Sequence, residues 1–441
     1  MGKTAGVRTV ATGAGFAGDR IEPAVALAAS GYVDAVILEC LAERTIVPGL
    51  RALRDNPEAG ADPRLKRRLS PLLPVARKNN CRVITNLGAA NAAAAGRAIA
   101  KLAGDLGCSG MRVAAVVGDD VLALKDRIEW EEPITGNFLG ARAYLGIAAL
   151  AEAIEGGADV VVTGRAADSS LFVADLVPHL ESGIDVLAGA IAAGHVLECS
   201  AQVTGGIYEP PGGGGLDAMS YAHLGYPLAR VAADGSAEIS ILEDAPGLVD
   251  RMTCTLQLLY EVHDPSKYIT PDAVLDFTGI TFEEVGKNRV RMSGATAGPP
   301  PRKLKVSGFV EYEGAIADLE IAYAGNGAYE RAQIGADILR ERLKDWDEKD
   351  IQIDLVGVNS VLGSASPPTN AYPAEVRVHV SARCADMDAA QIVEDEIYGL
   401  TIAGPAVGCG VRSERRPRLD VISGFVPREL VKTHVEWSEA P

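Results

Sequence analysis

The sequence predicts an α/β protein: an N-terminal Rossmann-like parallel sheet domain, followed by an α+β ferredoxin-like C-terminal domain. Three observations carry that expectation. Five short Val- and Ile-rich runs, apolar on both faces, alternate with helical runs up to Leu180. A Gly-x-Gly-x-x-Gly turn at Gly13, Gly15 and Gly18 follows the first of them. Counted from Ala315, the order becomes β-α-β-β-α-β. At 441 residues the chain exceeds one average core. The expected division is residues 1–235 for the parallel domain, 236–302 for a connecting segment with strands, and 303–441 for the ferredoxin-like domain.

In the first half the expected strands are Arg8–Ala11, Ala35–Glu39, Arg82–Asn86, Arg112–Val117 and Asp159–Thr163. The expected helices are Ile21–Ala29, Pro63–Lys78, Ala89–Leu106, Leu139–Glu155 and Ser169–Leu180. Each strand ends close to Gly or a polar residue, on the side where open α/β sheets bind ligands. Glu209-Pro-Pro-Gly-Gly-Gly-Gly215 reads as a hinge or a lid, and Thr253–Val262 as a strand. Strands Leu304–Tyr312 and Ala315–Tyr323 are expected to form a hairpin at Glu313-Gly314. Helix Tyr329–Leu343, strand Gln352–Val358, a Ser/Pro loop to Pro373, strand Glu375–Ala382, helix Ala389–Leu400 and a strand near Val411–Arg415 follow. The stretch Gly424–Pro441 reads as a partly ordered extension.

Composition narrows the function. Lys plus Arg number 42 against 59 Asp plus Glu, and the net charge of -17 argues against a nucleic-acid partner. Lys66-Arg67-Arg68 and Arg415-Arg416 read as solvated faces. Seven cysteines without a CxxC pair imply neither a disulfide framework nor a zinc site. No apolar run reaches membrane-spanning length, so the expectation is a reduced, soluble, cytoplasmic protein with no membrane partner.

The glycine turn suits an anionic ligand: a dinucleotide with Glu39 on its ribose, another anionic or CoA-type ligand, or no ligand at all. Asp19 has the wrong charge for a pyrophosphate neighbour, and Glu22-Pro23 starts the helix beyond the motif. Glu39, at a strand tip, is the leading general acid or base; partial burial would raise its pKa. Cys40 beside it reads equally well as a small filler, and Glu43-Arg44 as a plain ion pair. Asn86 offers an amide to a carbonyl or carboxylate, or caps the next helix. Asp119 and Asp120 could hold Mg²⁺ or lie solvated in a loop, and with no further acid at set spacing no metal is assigned. Arg165 presents a fork to a substrate carboxylate or phosphate, and Asp168 is an acid-base candidate or a helix cap. His195, Glu198 and Cys199 share one helix face, so His195 could activate a thiolate, take its tautomer from Glu198, or fill a core contact. Gln202 and Thr204 follow as polar groups for a substrate.

Eight segments together resemble the acyclic terpene utilisation (AtuA-like) family: GAGFAGDR (Gly13–Arg20), LECLAERT (Leu38–Thr45), TNLGAAN (Thr85–Asn91), VVGDD (Val116–Asp120), AYLG (Ala143–Gly146), ADVVVTGRAADSSL (Ala158–Leu171), GHVLECSAQVTGG (Gly194–Gly206) and QLLYEVHDPSKYITPD (Gln257–Asp272). The resemblance implies a place in the catabolism of branched terpenoid acids as acyl-CoA esters. It assigns no reaction and no catalytic residue. Some relatives carry a further small C-terminal domain, a part that a separate small partner subunit would supply here; a homo-oligomer is the other expected assembly. The leading expectation is a lyase or hydratase acting on a carboxylic acid or acyl-CoA. Glu39 or the His195–Glu198 pair would move the proton, and Arg165 would anchor a carboxylate. The alternatives are an NAD(P)-linked oxidoreductase using the glycine turn, and a non-catalytic subunit of a catabolic complex.

Overall fold

The computed structural model describes residues 6–347, 349–367 and 373–441. The chain forms two compact units. One comprises residues up to Glu132, Leu139–Gly308 and Ile422–Pro441; the other comprises Pro133–Phe138 and Phe309–Val421.

The chain runs through β1 (Val7–Ala14), α1 (Glu22–Ala29), β2 (Ala35–Leu38), α2 (Glu43–Asp55), α3 (Leu65–Lys78), β3 (Arg82–Thr85), α4 (Ala92–Asp105) and β4 (Arg112–Val117). Next come β5 (Glu129–Trp130), β6 (Asn137–Ala143), α5 (Ile147–Glu155), β7 (Val160–Thr163), α6 (Asp168–Val173) and α7 (Ile184–Glu198). Beyond them lie α8 (Ala218–Ala222), β8 (Leu228–Ala232), β9 (Ala237–Ser240) and α9 (Arg251–Leu259). Five short strands follow: β10 (Tyr268–Ile269), β11 (Val274–Asp276), β12 (Thr281–Gly286), β13 (Arg289–Ser293) and β14 (Thr296–Gly298). The last elements are β15 (Lys303–Ala324), α10 (Ala328–Arg342), β16 (Ile351–Val356), β17 (Glu375–Cys384), α11 (Met387–Ala403), β18 (Cys409–Pro427) and β19 (His434–Glu439).

The first unit is built on a ten-stranded sheet in the order β12-β13-β9-β8-β1-β2-β3-β7-β4-β19. The five strands expected to be parallel stand together at its centre, from β1 to β4, and all pair in parallel. Their side chains are buried on alternate faces, as their unbroken apolar runs require. Val10, Ile37, Ile84 and Val161 pack with α5, α6 and α7, while Ala11, Val36, Val83 and Val160 pack with α1, α3 and α4. In a Rossmann sheet the glycine strand lies between parallel neighbours. Here β1 has parallel β2 on one side and antiparallel β8 on the other. The stretch expected to be a partly ordered extension is an edge strand: β19 pairs antiparallel with β4 from His434 to Glu439.

Three further expectations are corrected, and one helix is new. Leu139–Glu155 is not one helix. β6 comes first, and the helix starts only at Ile147, whose N–H donates to Asp272 Oδ1 at 2.8 Å. Thr253–Val262 is not a strand, because a reciprocal cap starts α9 there. Thr253 N–H donates to Asp250 Oδ1 at 2.8 Å, and Asp250 N–H donates to Thr253 Oγ1 at 3.1 Å. Glu313-Gly314 is not a hairpin. Lys303–Ala324 is one strand, and Gly314 (φ +112) permits a close approach to the Cys384 carbonyl oxygen, which a Cβ would meet at 2.7 Å. Helix α2, with Pro48 inside it, has no counterpart among the expected elements.

In the second unit the order from β15 is β-α-β-β-α-β, and its strands line up as β16-β17-β15-β18. β17 pairs antiparallel with both β15 and β16. One apolar core, with Leu319, Ile321, Ala336, Leu339, Val378, Val393 and Ile397, fills the space between sheet and helices. Residues 368–372 of the expected Ser/Pro loop lie outside the described residues.

Candidate functional site

Strand ends of the first unit open into a cavity of about 700 Å³. Gly15 and Phe16 reach it from the end of β1, Glu39 to Glu43 from β2, and Arg165 to Ser169 from β7. Glu198, Cys199 and Gln202 close one side; Tyr260, Glu261, Tyr268 and Ile269 line another; Tyr144, Lys303, Lys305 and Phe425 complete the wall. Of the residues singled out from the sequence, Gly15, Glu39, Arg165, Asp168, Glu198 and Gln202 meet here. Gly13, Gly18, Asn86, His195 and Thr204 are not part of the lining.

Glu39 is buried, and its Oε1 accepts from the Leu41 N–H and from Asn86 Nδ2, both at 2.9 Å. Asn86 in turn accepts from the Cys40 N–H at 2.7 Å, so it orients Glu39 from behind. The cap of α4 is Asn91, not Asn86. Burial, then the like charge of Asp168, push the Glu39 carboxyl well above its ordinary range; Arg165 and the two hydrogen bonds pull less strongly the other way. Asp168 is the first residue of α6 and makes no capping bond, so the expected cap does not form. Its side chain is 32% exposed, and its Oδ1 lies 3.5 Å from Arg165 Nη2. Burial among surrounding groups pushes the Asp168 carboxyl up to about 7, against the pull of Arg165.

Arg165 is the buried hub of this wall. One guanidinium nitrogen donates to the Leu41 carbonyl, another faces Asp168, and the guanidinium plane lies 4.2 Å from the centre of the Tyr144 ring. Its fork is therefore turned to the protein rather than to a ligand. The Tyr144 hydroxyl donates to Glu43, and Ser307 Oγ lies 3.4 Å from that hydroxyl. Burial alone would raise Glu43, but Arg165 and the Tyr144 hydroxyl hold it below the usual carboxylate range. Glu43 thus pairs with Tyr144 and not with Arg44, whose guanidinium lies over Phe16. Lys303 pairs with Glu129. Lys305 stands 5.0 Å from the centre of the Tyr144 ring and joins no ion pair among the described residues.

His195 sits behind Glu198 and is buried. Its Nδ1 is 2.8 Å from Glu198 Oε1 and its Nε2 is 3.2 Å from the Leu258 carbonyl oxygen. Cys199 is no activated thiol, because burial and the Glu198 charge push it up. Thr204 is buried, with its hydroxyl on the Ala201 and Gly225 carbonyls. Asp119 and Asp120 both face Arg142, at 3.5 and 3.1 Å, and Asp119 also accepts from the Arg165 N–H.

The glycine turn is occupied by its own chain. The Gly15 N–H donates to Asp19 Oδ2 at 2.9 Å, where an anion would sit. Arg68, expected on a solvated face, is buried and binds the carbonyls of Ala17 and Asp19, at 2.5 and 3.0 Å. A Cβ on Gly15 would lie 2.0 Å from the Glu198 carbonyl oxygen, so that glycine serves close packing. Helix α1 starts at Glu22, beyond the motif. These contacts leave the turn little to offer a pyrophosphate.

Tyr144, Lys305, Tyr268 and Glu261 were not singled out from the sequence. The one local signal is Glu261, a non-glycine residue with φ +58 at the cavity wall. A sequence model of the acyclic terpene utilisation family protein AtuA matches residues 8–437, nearly the whole chain. A search of curated proteins gives no match.

Proposed function

Since the chain belongs to the acyclic terpene utilisation family AtuA, we propose that it is a proton-transferring enzyme, a hydro-lyase or other lyase, acting on a branched carboxylic acid or its CoA thioester. The observation that carries this reading is the pairing of Glu39 and Asp168. Burial and the acids around each favour retained protons, and both line one cavity at the strand ends. A cavity of about 700 Å³ is of ligand size. Phe16, Leu41, Ile269, Leu304 and Phe425 provide apolar wall for a branched chain.

In this reading Glu39 moves the proton, and Arg165 keeps the two carboxyls and Glu43 in place. The role of anchoring the substrate's anionic group passes from Arg165, whose fork is occupied, to Lys305. The test uses branched 2-enoic acids and their CoA thioesters, with mass spectrometry following the gain of one water. Wild-type protein is expected to hydrate at least one of them, and Glu39→Gln to bind it without turnover. Equal turnover by Glu39→Gln would remove Glu39 from the proposal; no conversion of any member would remove the hydratase assignment.

A further inference from the structure

We infer that His195 is held as an imidazolium against Glu198, which makes His195 the positioning residue for a base, Glu198. The argument starts from the two ring nitrogens. Nε2 is 3.2 Å from the Leu258 carbonyl oxygen, which can only accept, so Nε2 carries a hydrogen. Nδ1 is 2.8 Å from Glu198 Oε1 and 3.3 Å from the Tyr268 hydroxyl. Glu198 Oε1 is the nearer of the two, so Nδ1 donates to it as well, and a ring with a hydrogen on both nitrogens is charged.

The surroundings favour that state. Around the ring are Glu198 from its own helix, the Leu258 carbonyl from α9, Glu261 just beyond α9, the Tyr268 hydroxyl from β10, and the Phe277 ring at 5.7 Å. Glu198 and Glu261 are both acids, and no cation is among these groups. Burial opposes the charge on the ring, but Glu198, the hydrogen bonds to Glu198 and the Leu258 carbonyl, and Glu261 together outweigh it and raise the His195 pKa.

The consequence rests on the reading of the cavity as an acid-base site. Five carboxyl side chains line the cavity, and three of them, Glu39, Asp168 and Glu198, are divided by their neighbours. Burial and like charge leave Glu39 and Asp168 favouring a proton in spite of Arg165, whereas Glu198 has the His195 ring against it at 2.8 Å. In a hydration, Glu198 takes a proton from the water whose oxygen bonds to the β carbon. Glu39 gives its proton to the α carbon as the C=C bond is consumed. A proton then passes from Glu198 back to Glu39 through solvent, so one water is added and the enzyme is restored.

The charge state is testable without any substrate. Protein labelled at histidine Cε1 with ¹³C has six histidine signals to follow by NMR, and His195→Gln identifies the one in question. At pH 8 an unperturbed histidine is about 3% protonated. The His195 signal is expected to keep its imidazolium position at that pH, and Glu198→Gln to move it to the neutral position. A neutral His195 at pH 8 in the wild-type protein, or a signal that ignores Glu198→Gln, overturns the inference. Should His195→Gln not fold, Tyr268→Phe, whose ring centre lies 4.8 Å from that of His195, identifies the same signal. Absence of hydratase activity would leave this result standing, so the two proposals fail separately.

Discussion

Replacing Glu39 by Gln and by Ala separates a protonated Glu39 from an ionised one. Its Oε1 accepts two buried N–H groups, from Leu41 and Asn86. Gln preserves an acceptor for both, so at pH 5 to 6 the cost is about 1 kcal/mol or less. Ala strips both donors, and at about 1–3 kcal/mol for each orphaned group the loss is about 2–6 kcal/mol. That is a large share of the ~5–15 kcal/mol that holds an ordinary domain together. Raising the pH adds a second signature. The folded-state pKa of Glu39 is raised, so the folded protein keeps a proton that the unfolded chain releases. Stability is therefore full below the ordinary Glu range and falls as pH climbs from there through the folded value. Gln cannot ionise, so the variant should gain on the wild type as pH rises. Urea denaturation at pH 5 and pH 8 measures both effects. If Glu39 were instead an anion paired with Arg165, Gln would break a buried ion pair and cost about 3–5 kcal/mol. That result, without a relative gain at pH 8, would refute the reasoning.

Asp168 leads to a parallel expectation. Its carboxyl sits near 7 instead of 3.8, so stability should decline between those values as pH rises, and Asp168→Asn should flatten that decline in urea midpoints; an unchanged slope would contradict it. Arg165→Met should cost about 3–5 kcal/mol by urea denaturation, because it leaves the Glu43 carboxylate without its cation and the Leu41 carbonyl without its donor; a loss under 1 kcal/mol would show that the hub is dispensable. Gly15→Ala should cost about 1–3 kcal/mol or more, since its Cβ would strike the Glu198 backbone. Gly18→Ala should cost far less, because its Cβ meets only the ring of Phe16, which is 46% exposed. Thermal melting compares the two, and equal losses would contradict the packing argument.

The parallel core of the first unit was legible because buried strands must be apolar on both faces, and runs such as Val160–Thr163 read as nothing else. Misreadings came where a single contact decides. Thr253–Val262 has the composition of a strand, but the Asp250–Thr253 cap makes it a helix. Gly314 looks like a turn, yet it serves a close approach within one long strand. The glycine motif reads as a phosphate cradle until Asp19 and Arg68 are placed in and behind it.

The strand-end residues Glu39, Arg165 and Asp168 were visible because sheet topology alone brings them together. Tyr144, Tyr268 and Lys305 were not, since their places depend on contacts between distant segments. Asp272 is one such tie. It accepts from the Ile147 N–H at 2.8 Å and from the Ser170 hydroxyl at 2.6 Å, which pins the segment carrying Tyr268 beside α5 and α6. No spacing in the sequence announces that bond.

The central claim is that Glu39 exchanges a proton with a branched acyl substrate bound in this cavity. Hydrogen exchange at the carbon next to the carbonyl tests it most directly, because exchange does not require net conversion. Wild-type protein and Glu39→Gln would be incubated in D₂O with branched enoic acids, their saturated 3-hydroxy counterparts and the CoA thioesters of both, and deuterium read by mass spectrometry. The account predicts incorporation by the wild-type protein and none above background by Glu39→Gln, with ligand binding retained. Equal incorporation by both proteins, or none by a wild-type protein shown to bind the ligand, would contradict it.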